Sequence, residues 1–357
     1  MAYLKLYRKK LHENYNFLNQ LFYSRGIEWG IVTKILCGNE KYLREIIALG
    51  IKEIHDSRIS NLQIVKSLDP TIQRVYIKPP AKRSIRRIVK YADVSFNTEL
   101  QTIRWLSEEA VAQNKVHKII IMIEMGDLRE GVLGEELLNF YKEILKMPNI
   151  SISGIGTNLN CLNGVMPNQD KLIQLSLYKQ LIEAKFDIRI PYVSGGTSVA
   201  IPLILKNANP MSVNHFRIGE ALFFGKDLFT EKTIKGLHND VFKLFAEIIE
   251  ITEKPDTPIG ELGKNVAGKT FEPINGVDLS GRSLRAILDI GLLDMQPQYL
   301  LPEDKNITLV DASSDMLVMD ISHSKKNYEV GSLVSFKLSY MGALYLMNSW
   351  YIEKHIE

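Results

Sequence analysis

The stretch NTELQTIRWLSEEAVAQNKVHKIIIMIEM, residues 97–125, decides the fold. Its first part places apolar residues three and four positions apart, which is typical of a helix that packs on one face. Its second part, HKIIIMIEM at 117–125, is a short apolar run of the kind found in strands that are covered on both faces. A helix next to such a strand indicates the βαβ units that build parallel sheets.

The same alternation of helix and strand patterns extends from about residue 12 to residue 228. No GxGxxG motif follows the first strand, so an open dinucleotide-binding sheet is disfavoured. Eight repeats over this length predict a TIM (β/α)8 barrel, an α/β fold. The predicted strands cover residues 28–36, 51–56, 73–78, 92–96, 117–125, 150–157, 187–194 and 213–219.

After residue 228 the pattern changes to apolar alternation interrupted by turns, which indicates antiparallel strands. We therefore predict a barrel domain over residues 12–228 and a mainly β C-terminal domain over residues 229–357, to which residues 1–11 also belong. The apolar stripe in LHNDVFKLFAEI, residues 237–248, predicts a helix that bridges the two domains.

The composition excludes several classes of partner. The 357 residues include 44 Lys and Arg against 41 Asp and Glu, and the basic residues are dispersed, so neither a nucleic acid nor a membrane is indicated. Cys37 and Cys161 lack the spacing of a disulfide framework or of a zinc site. The N-terminal residues carry charges where a signal peptide needs an apolar run, so we expect a cytoplasmic protein.

Three histidines lie on or beside predicted strands, namely His55, His215 and His323. None has a second histidine four residues away or a neighbouring carboxylate motif. We expect structural histidines here and no metal site.

The C-terminal ends of barrel strands face the active site, so the polar residues that end each strand are the candidates for chemistry. Lys34 ends the first strand in the apolar context GIVTKIL. Burial favours a neutral amine, which a Schiff-base lysine needs. A lysine that extends from the strand end to solvent is the alternative reading of this residue taken alone.

Two later loops could hold a phosphate. SGGTS, residues 194–198, follows the seventh strand, and its glycines allow successive backbone N–H groups to point at one anion. HFRIG, residues 215–219, adds Arg217 and Gly219 from the eighth strand. Barrels commonly build phosphate sites from these two loops, although two glycines alone also fit an ordinary turn.

Five motifs occur together in one order along the chain: VTKILCGN (32–39), EMGDLREG (124–131), GIGTNLNC (154–161), VSGGTS (193–198) and FRIGEALFFG (216–225). In this order and spacing the sequence resembles alanine-racemase-like enzymes, the fold-type III enzymes that depend on pyridoxal 5'-phosphate (PLP). HDSRISN, GTNLNC and ASSDMLVMD make the branch of alanine/ornithine racemases the most similar one. The resemblance covers nearly the whole chain.

The resemblance implies a role for each matching residue. Lys34 carries the cofactor and moves a proton on one face of Cα, and Arg217 contacts the pyridine nitrogen. Arg129 helps to position the cofactor and the substrate carboxylate, while Asn158 replaces a histidine near the ring. The remaining implied cofactor contacts are Ser194, Gly195, Gly196, Thr197 and Gly219, and Met125 and Asp56 complete the implied substrate site with Arg129.

One position departs from the family pattern. Alanine racemases use a tyrosine of the second domain as the acid/base on the opposite face of Cα, whereas Leu292 occupies that position here. Leucine cannot move a proton, so another group must replace the tyrosine. The candidates are Asp289, Asp294, Cys161 and the ASSDM turn with Ser313, Ser314 and Asp315, of which we favour the turn.

These features predict a PLP-dependent amino-acid racemase that acts as a homodimer with shared active sites. By resemblance, and because spare carboxylates such as Asp56, Glu130 and Asp315 could meet a distal ammonium, the substrate is expected to be ornithine or another basic amino acid. Two alternatives stay open. A PLP-dependent lyase or decarboxylase would place a carboxylate where Arg217 stands, and a non-catalytic PLP-binding homeostasis protein would lack the second domain.

Overall fold

A computed structural model of the chain describes residues 2–264, 268, 270–271 and 281–357. The described chain divides into two compact units. One unit is formed by residues 11–239 and the other by residues 1–10 together with 240–357.

Within residues 11–239, all of which the structure describes, eight parallel strands close into a barrel. The prediction of a TIM barrel is confirmed. The interior core includes Val75, Val94, Phe96 and Met122, each at most 3% exposed. The barrel strands are β2 (Glu28–Val32), β3 (Glu53–Asp56), β4 (Gln73–Tyr76), β5 (Val94–Asn97), β6 (His117–Met122), β7 (Ile150–Gly156), β8 (Tyr192–Thr197) and β9 (His215–Ile218).

The barrel closes where its first strand pairs with its last. In this parallel pair Gly30 lies opposite Arg217, and Ile31 lies opposite Ile218. A Cβ at position 30 would overlap the imidazole ring of His55, which is fully buried inside the barrel. The closure therefore places the residues after Val32 next to those after Ile218.

Helices alternate with these strands, and several begin with a side-chain cap. Asn39 accepts a hydrogen bond from the backbone N–H of Tyr42, and Asn168 accepts one from that of Lys171, as N-cap residues do. The helices of this part of the chain are α1 (Arg8–Tyr23), α2 (Glu40–Ala48), α3 (Ile59–Leu68), α4 (Ile85–Tyr91), α5 (Leu100–Ala112), α6 (Leu137–Ile144), α7 (Gln169–Phe186), α8 (Ile201–Leu205) and α9 (Glu220–Phe224).

The seventh barrel strand begins later than predicted. We predicted a strand over residues 187–194, but β8 starts at Tyr192. The preceding helix ends at Phe186, and Asp187 follows it with a left-handed φ of 49°. The helix cap takes up only Asp187, residues 188–191 form neither helix nor strand, and the strand extends to Thr197 instead.

The second unit is a largely antiparallel sheet. Its described strands are β1 (Tyr3–Leu6), β10 (Phe242–Pro255), β11 (Arg282–Leu288), β12 (Leu300–Pro302), β13 (Thr308–Ala312), β14 (Leu317–Asp320), β15 (Leu333–Leu338) and β16 (Glu353–Ile356). Among the described residues the strand order is β12-β15-β10-β11-β14-β13, and β1 pairs with β10 and with β16. One described helix, α10 (Tyr340–Asn348), follows β15.

The predicted bridging helix over residues 237–248 is wrong. Most of that stretch belongs to β10, in which Phe242, Leu244, Ala246 and Ile248 are buried and alternate with partly exposed residues. The apolar residues of FKLFAEII fit a period of two as well as a helical face, and pairing with β1, β11 and β15 selects the strand. Among the described residues, none of the helices has the length and apolarity needed to cross a bilayer.

Asn14, a buried residue of α1, fastens two later segments of the barrel unit. Its Nδ2 donates to the carbonyls of Leu222 and His238, both at 2.9 Å, and its Oδ1 accepts from the backbone N–H of His238 at 2.7 Å. Since Leu222 lies in α9, the first helix of this unit holds the segment that follows Arg217.

Replacing Asn14 with Ala should lower the free energy of unfolding by about 2–4 kcal/mol, because two carbonyls and one N–H lose their partner. Urea denaturation measures the change. Asn16 is an exposed asparagine of the same helix, and Asn16→Ala should change the stability by less than about 0.5 kcal/mol. Equal losses in the two variants would contradict this role of Asn14.

Candidate active site

Lys34 follows the last residue of β2 by two positions and begins a short 3-10 turn that ends at Leu36. Its side chain is exposed, whereas Ile35 and Leu36 are buried. Two carboxyls feel its charge: burial raises the pKa of Asp56 and of Glu220, and the Lys34 ammonium acts against that rise in both. The first strand therefore presents an amine at the C-terminal face of the barrel, with acidic groups nearby.

Asp56 is fully buried, and its carboxylate is engaged by its own neighbourhood. It accepts hydrogen bonds from the Thr33 hydroxyl at 3.0 Å, from the Arg58 backbone N–H at 2.8 Å and from the Asn61 amide at 3.2 Å. Burial raises the pKa of Asp56 to about 6. The structure thus places Asp56 behind Lys34, where it joins the ends of β2 and β3, and not at a surface that a substrate could contact.

The two glycine loops predicted to hold phosphate lie side by side. The hydroxyl oxygen of Ser198 accepts hydrogen bonds from the backbone N–H groups of Gly219 (3.3 Å) and Ala221 (3.1 Å). Gly196 has a φ of +130°, and a Cβ added to it would meet nothing within 4 Å. Backbone therefore borders open space here, as the approach of a phosphate to main-chain N–H groups requires.

Gly219 also lies against the first strand. A Cβ on this residue would come within 3.2 Å of the Val32 side chain and 3.3 Å of its carbonyl oxygen. Because Lys34 is only two residues beyond Val32, the amine and the glycine loops share one end of the barrel. Ser198 and Glu220 lie inside the quoted motifs VSGGTS and FRIGEALFFG, but the sequence analysis assigned neither of them a role.

Arg217 is buried in the barrel interior, with 3% of its surface exposed. Its Nη1 donates to the Ser194 hydroxyl at 2.5 Å, its Nη2 donates to the Thr157 carbonyl at 2.7 Å, and the guanidinium lies 5.2 Å from the centre of the Phe96 ring. Burial lowers the pKa of Arg217 to about 10, so it stays charged at neutral pH. Ser194, predicted to contact the cofactor, instead directs its hydroxyl to Arg217 and His215.

Arg129 and Asn158 lie together beyond the ends of neighbouring strands. In the amide orientation that its surroundings favour, Asn158 accepts hydrogen bonds from Arg129 Nη2 at 2.5 Å and Nη1 at 3.2 Å. Arg129 also forms a two-pronged ion pair with Glu130, and this hydrogen bond raises the pKa of the guanidinium. Cys161 is exposed and close enough to act electrostatically on Arg129 and on Arg217.

Asp127 organises the loop after β7, a role that sequence reasoning missed. Its buried carboxylate accepts four backbone N–H groups, from Cys161 (3.0 Å), Leu162 (2.9 Å), Asn163 (3.2 Å) and Val165 (3.2 Å). Burial acts to raise the pKa of Asp127, but these donors lower it below its usual value. The partners are more than thirty residues away, so the motif EMGDLREG gave no signal of them.

Met125, predicted to contact substrate, is 6% exposed. Its carbonyl accepts a hydrogen bond from Lys171 Nζ at 2.7 Å. The part of Met125 that the structure engages is therefore its backbone, which ties the end of β6 to α7.

In the second unit, Leu292 lies next to the ASSDM turn. The backbone N–H of Leu292 donates to the Ser313 carbonyl at 2.9 Å, and that of Leu293 donates to the Ser314 carbonyl at 2.8 Å. The hydroxyls of Ser313 and Ser314 both lie 3.2 Å from Oδ1 of Asp315. The turn favoured as the replacement for the tyrosine thus directly contacts the tyrosine position, and Ser314 and Asp315 are exposed there.

The other two candidates of this region are placed differently. Asp294 accepts a hydrogen bond from the Ser349 hydroxyl at 2.5 Å, which engages its carboxylate within the unit. Asp289 is exposed at the end of β11.

The donor set at the C-terminal end of the barrel fits a phosphorylated pyridine aldehyde. Lys34 offers an amine for the aldehyde, the loop at Gly196 offers backbone next to open space for a phosphate, and Arg217 offers a charged donor. PLP is a cofactor whose functional groups correspond to all three.

Known proteins match this chain over nearly its full length. The family model "Alanine racemase, N-terminal domain" matches residues 7–227. The ornithine racemase of Acetoanaerobium sticklandii is 37% identical over 349 residues, which cover 97% of each chain. The lysine racemase of Thermotoga maritima is 31% identical over 349 residues, covering 98% of this chain and 96% of its own.

Solved structures of alanine racemases share the fold. The alanine racemase of Clostridium difficile 630 superimposes with a TM-score of 0.74 at 15% identity and covers 100% of this chain and 95% of its own. The alanine racemase of Bartonella henselae with covalently bound pyridoxal phosphate gives a TM-score of 0.75 at 16% identity, with coverage of 100% and 99%. With the lysine, the arginine and the glycine loops gathered at one end of the barrel, the chain belongs to the alanine racemase family of fold-type III, PLP-dependent amino-acid racemases.

Proposed function

We propose that this racemase acts on basic amino acids of the ornithine and lysine type, with Lys34 as one of its two proton carriers. The observation that carries the proposal is the closure of the barrel, which joins the Lys34 turn to the Arg217 and Gly219 segment. The family relatives at 37% and 31% identity are named ornithine racemase and lysine racemase, and this supports the substrate class.

The chemistry that PLP supplies when bound is electron withdrawal from Cα, which makes the Cα proton removable. Lys34 would hold the cofactor, and its amine would then take up or return the proton on one face of Cα. The carboxyls of Asp56 and Glu220 are near enough to feel the Lys34 charge. Once the amine has accepted a proton, these groups would stabilise the resulting ammonium.

Arg217 would limit how far the cofactor draws electrons. A guanidinium whose pKa is about 10 does not give up its proton near neutral pH, so a ring nitrogen that it contacts would stay largely unprotonated. Weaker electron withdrawal favours fast return of the proton to Cα over side reactions. This supports racemisation over lyase chemistry, for which the arginine would be replaced by a carboxylate.

For the opposite face we propose the turn at residues 313–315. The turn contacts Leu292, which occupies the place of the family tyrosine, and its exposed Asp315 and Ser314 carry the titratable and polar atoms. We further propose a homodimer in which this turn completes the site of the partner subunit. The second unit, residues 240–357, supplies the surface for this, and a passive PLP carrier would not need it.

Three carboxylates were candidates to bind the distal ammonium of the substrate. Asp56 is buried and fully hydrogen-bonded, and Glu130 is paired with Arg129, so both are committed to neighbours. Asp315 is exposed. Within its turn, the hydroxyls of Ser313 and Ser314 both donate to its Oδ1. Of the three, Asp315 is therefore the carboxylate best placed to meet a cationic side chain, a role it would take if Ser314 moves the opposite-face proton.

Replacing Lys34 with Ala should abolish racemisation and the visible absorbance of lysine-bound PLP, because a methyl group can neither bind the aldehyde nor carry a proton. A chiral assay and an absorbance spectrum measure both. Lys52 precedes β3 at the opposite end of the barrel, and Lys52→Ala should keep both signals. A coloured, active Lys34→Ala variant would refute the assignment.

The wild-type protein should racemise ornithine or lysine with a kcat/KM at least about tenfold above that for alanine, since a paired distal charge is worth about 1.4 kcal/mol or more. Chiral chromatography over both enantiomers of all three amino acids measures the ratio. A clear preference for alanine would contradict the proposed substrate class while leaving the racemase intact.

Removing the opposite-face carrier should lower racemisation at least about 100-fold and restrict solvent-deuterium incorporation to one enantiomer. The variants are Asp315→Asn, Ser314→Ala and Cys161→Ser, and Asp311→Asn on β13 is an exposed control. We expect the loss in Asp315→Asn or Ser314→Ala. Unchanged exchange from both enantiomers in all three variants would overturn the proposed role of the turn.

A further inference from the structure

A continuous chain of hydrogen bonds runs behind Arg217 through the barrel interior. Nη1 of Arg217 lies 2.5 Å from Oγ of Ser194, which lies 2.8 Å from Nδ1 of His215. On the other side of the ring, Nε2 of His215 lies 2.9 Å from Oε1 of Glu53. Three strands supply these groups: β9 carries Arg217 and His215, β8 carries Ser194, and β3 begins with Glu53.

The chain of hydrogen bonds is buried and has a charged side chain at each end. Ser194 is 0%, His215 2% and Arg217 3% exposed, and the side chain of Glu53 is 12% exposed. Burial acts to raise the pKa of Glu53, but its electrostatic and hydrogen-bond interactions with His55 and His215 lower it well below its usual range. Glu53 therefore stays a carboxylate, and its charge balances the buried guanidinium across the barrel.

The ionised Glu53 decides where every proton of the chain lies. A carboxylate only accepts, so Nε2 of His215 must donate to it. In a neutral imidazole the other nitrogen, Nδ1, is then an acceptor, and the Ser194 hydroxyl must donate to it. The lone pairs of Ser194 remain to accept from Arg217, so each group donates in the direction of Glu53.

We propose that Glu53, His215 and Ser194 are positioning residues that hold the Arg217 guanidinium in one orientation for the reaction. The inference rests on the proposed function, because Arg217 is taken to contact the cofactor ring. With Nη1 fixed by Ser194 and Nη2 by the Thr157 carbonyl, the guanidinium plane cannot rotate. Hydrogen bonds that all point one way also polarise and strengthen one another in a low-dielectric interior.

Two further groups steady the far end of the chain. The ring of His55 contacts Oε1 of Glu53, and the Gln73 amide donates to Oε2 at 2.5 Å. Burial lowers the pKa of His55 below its usual value, so this ring is neutral near pH 7. Glu53 is thus held by three donors from three strands.

Glu53, His55 and His215 also have the ligand types of a divalent metal site, and their ligand atoms lie within 4.8 Å of one another. Two observations favour the hydrogen-bonded chain. A metal-bound histidine almost always has a partner at its second nitrogen, yet among the described residues nothing hydrogen-bonds to Nδ1 of His55. The buried Arg217 charge nearby also opposes a dication, while it complements an ionised Glu53.

The test compares two variants. Glu53→Gln removes the charge with little change of shape, and Ser194→Ala interrupts the chain of hydrogen bonds. Both should lower kcat at least roughly tenfold with less than about a threefold change in KM, as expected when transition-state positioning is lost. The matched control is His117→Gln, since His117 forms a similar buried pair with Ser95 at 2.8 Å that does not reach Arg217. It should retain kcat even if it lowers the thermal midpoint.

A second measurement needs neither cofactor nor activity. Nitrogen-15 NMR of the cofactor-free protein should show His215 protonated at Nε2 and unprotonated at Nδ1, with the signal assigned by its loss in His215→Gln. In Glu53→Gln this tautomer should lose its dominance. Protonation at Nδ1, one equivalent of tightly bound zinc in the purified protein, or wild-type kcat in both chain variants would overturn the inference. A wild-type protein inactive on every amino acid would overturn the proposed function instead.

Discussion

The pairing of the first barrel strand with the last is the constraint on which the rest of the site depends. Because Gly30 lies opposite Arg217 in a parallel pair, the residues that follow these two strands lie next to each other. The loop at Gly219 then packs on Val32, two residues before Lys34, so closely that a Cβ on Gly219 would lie 3.2 Å from the Val32 side chain. A covalent cofactor site needs an amine and an anion cradle at a fixed separation, and backbone hydrogen bonds of the closed sheet fix that separation.

The order and approximate positions of the barrel strands could be predicted because both faces of each strand are covered. Continuous apolar runs such as HKIIIMIEM reflect that burial directly. The stretch FKLFAEII could not be resolved, since Phe245 and Ile249 add apolar residues on the less buried side of β10 and imitate a helical stripe. Only its partners in the sheet, far away in sequence, make it a strand.

The residues of the candidate site could be placed at strand ends from the sequence, but the directions of their side chains could not be predicted. Ser194 lies in the predicted phosphate loop, yet its hydroxyl faces the barrel interior and Arg217. Its partnership with His215 and Glu53 joins residues up to 162 positions apart, and sequence patterns carry no trace of it. Alternation within β9 did contain one signal, because His215 and Arg217 are two residues apart and share a face.

The central claim is that the amine of Lys34 carries PLP at the end of the barrel where the glycine loops converge. Borohydride reduction of the PLP-loaded wild-type protein, followed by digestion and mass spectrometry, tests it most directly. The account predicts a reduced pyridoxyl phosphate group on the peptide that contains Lys34. A modified peptide from any other part of the chain, or a protein that takes up no PLP, would contradict it.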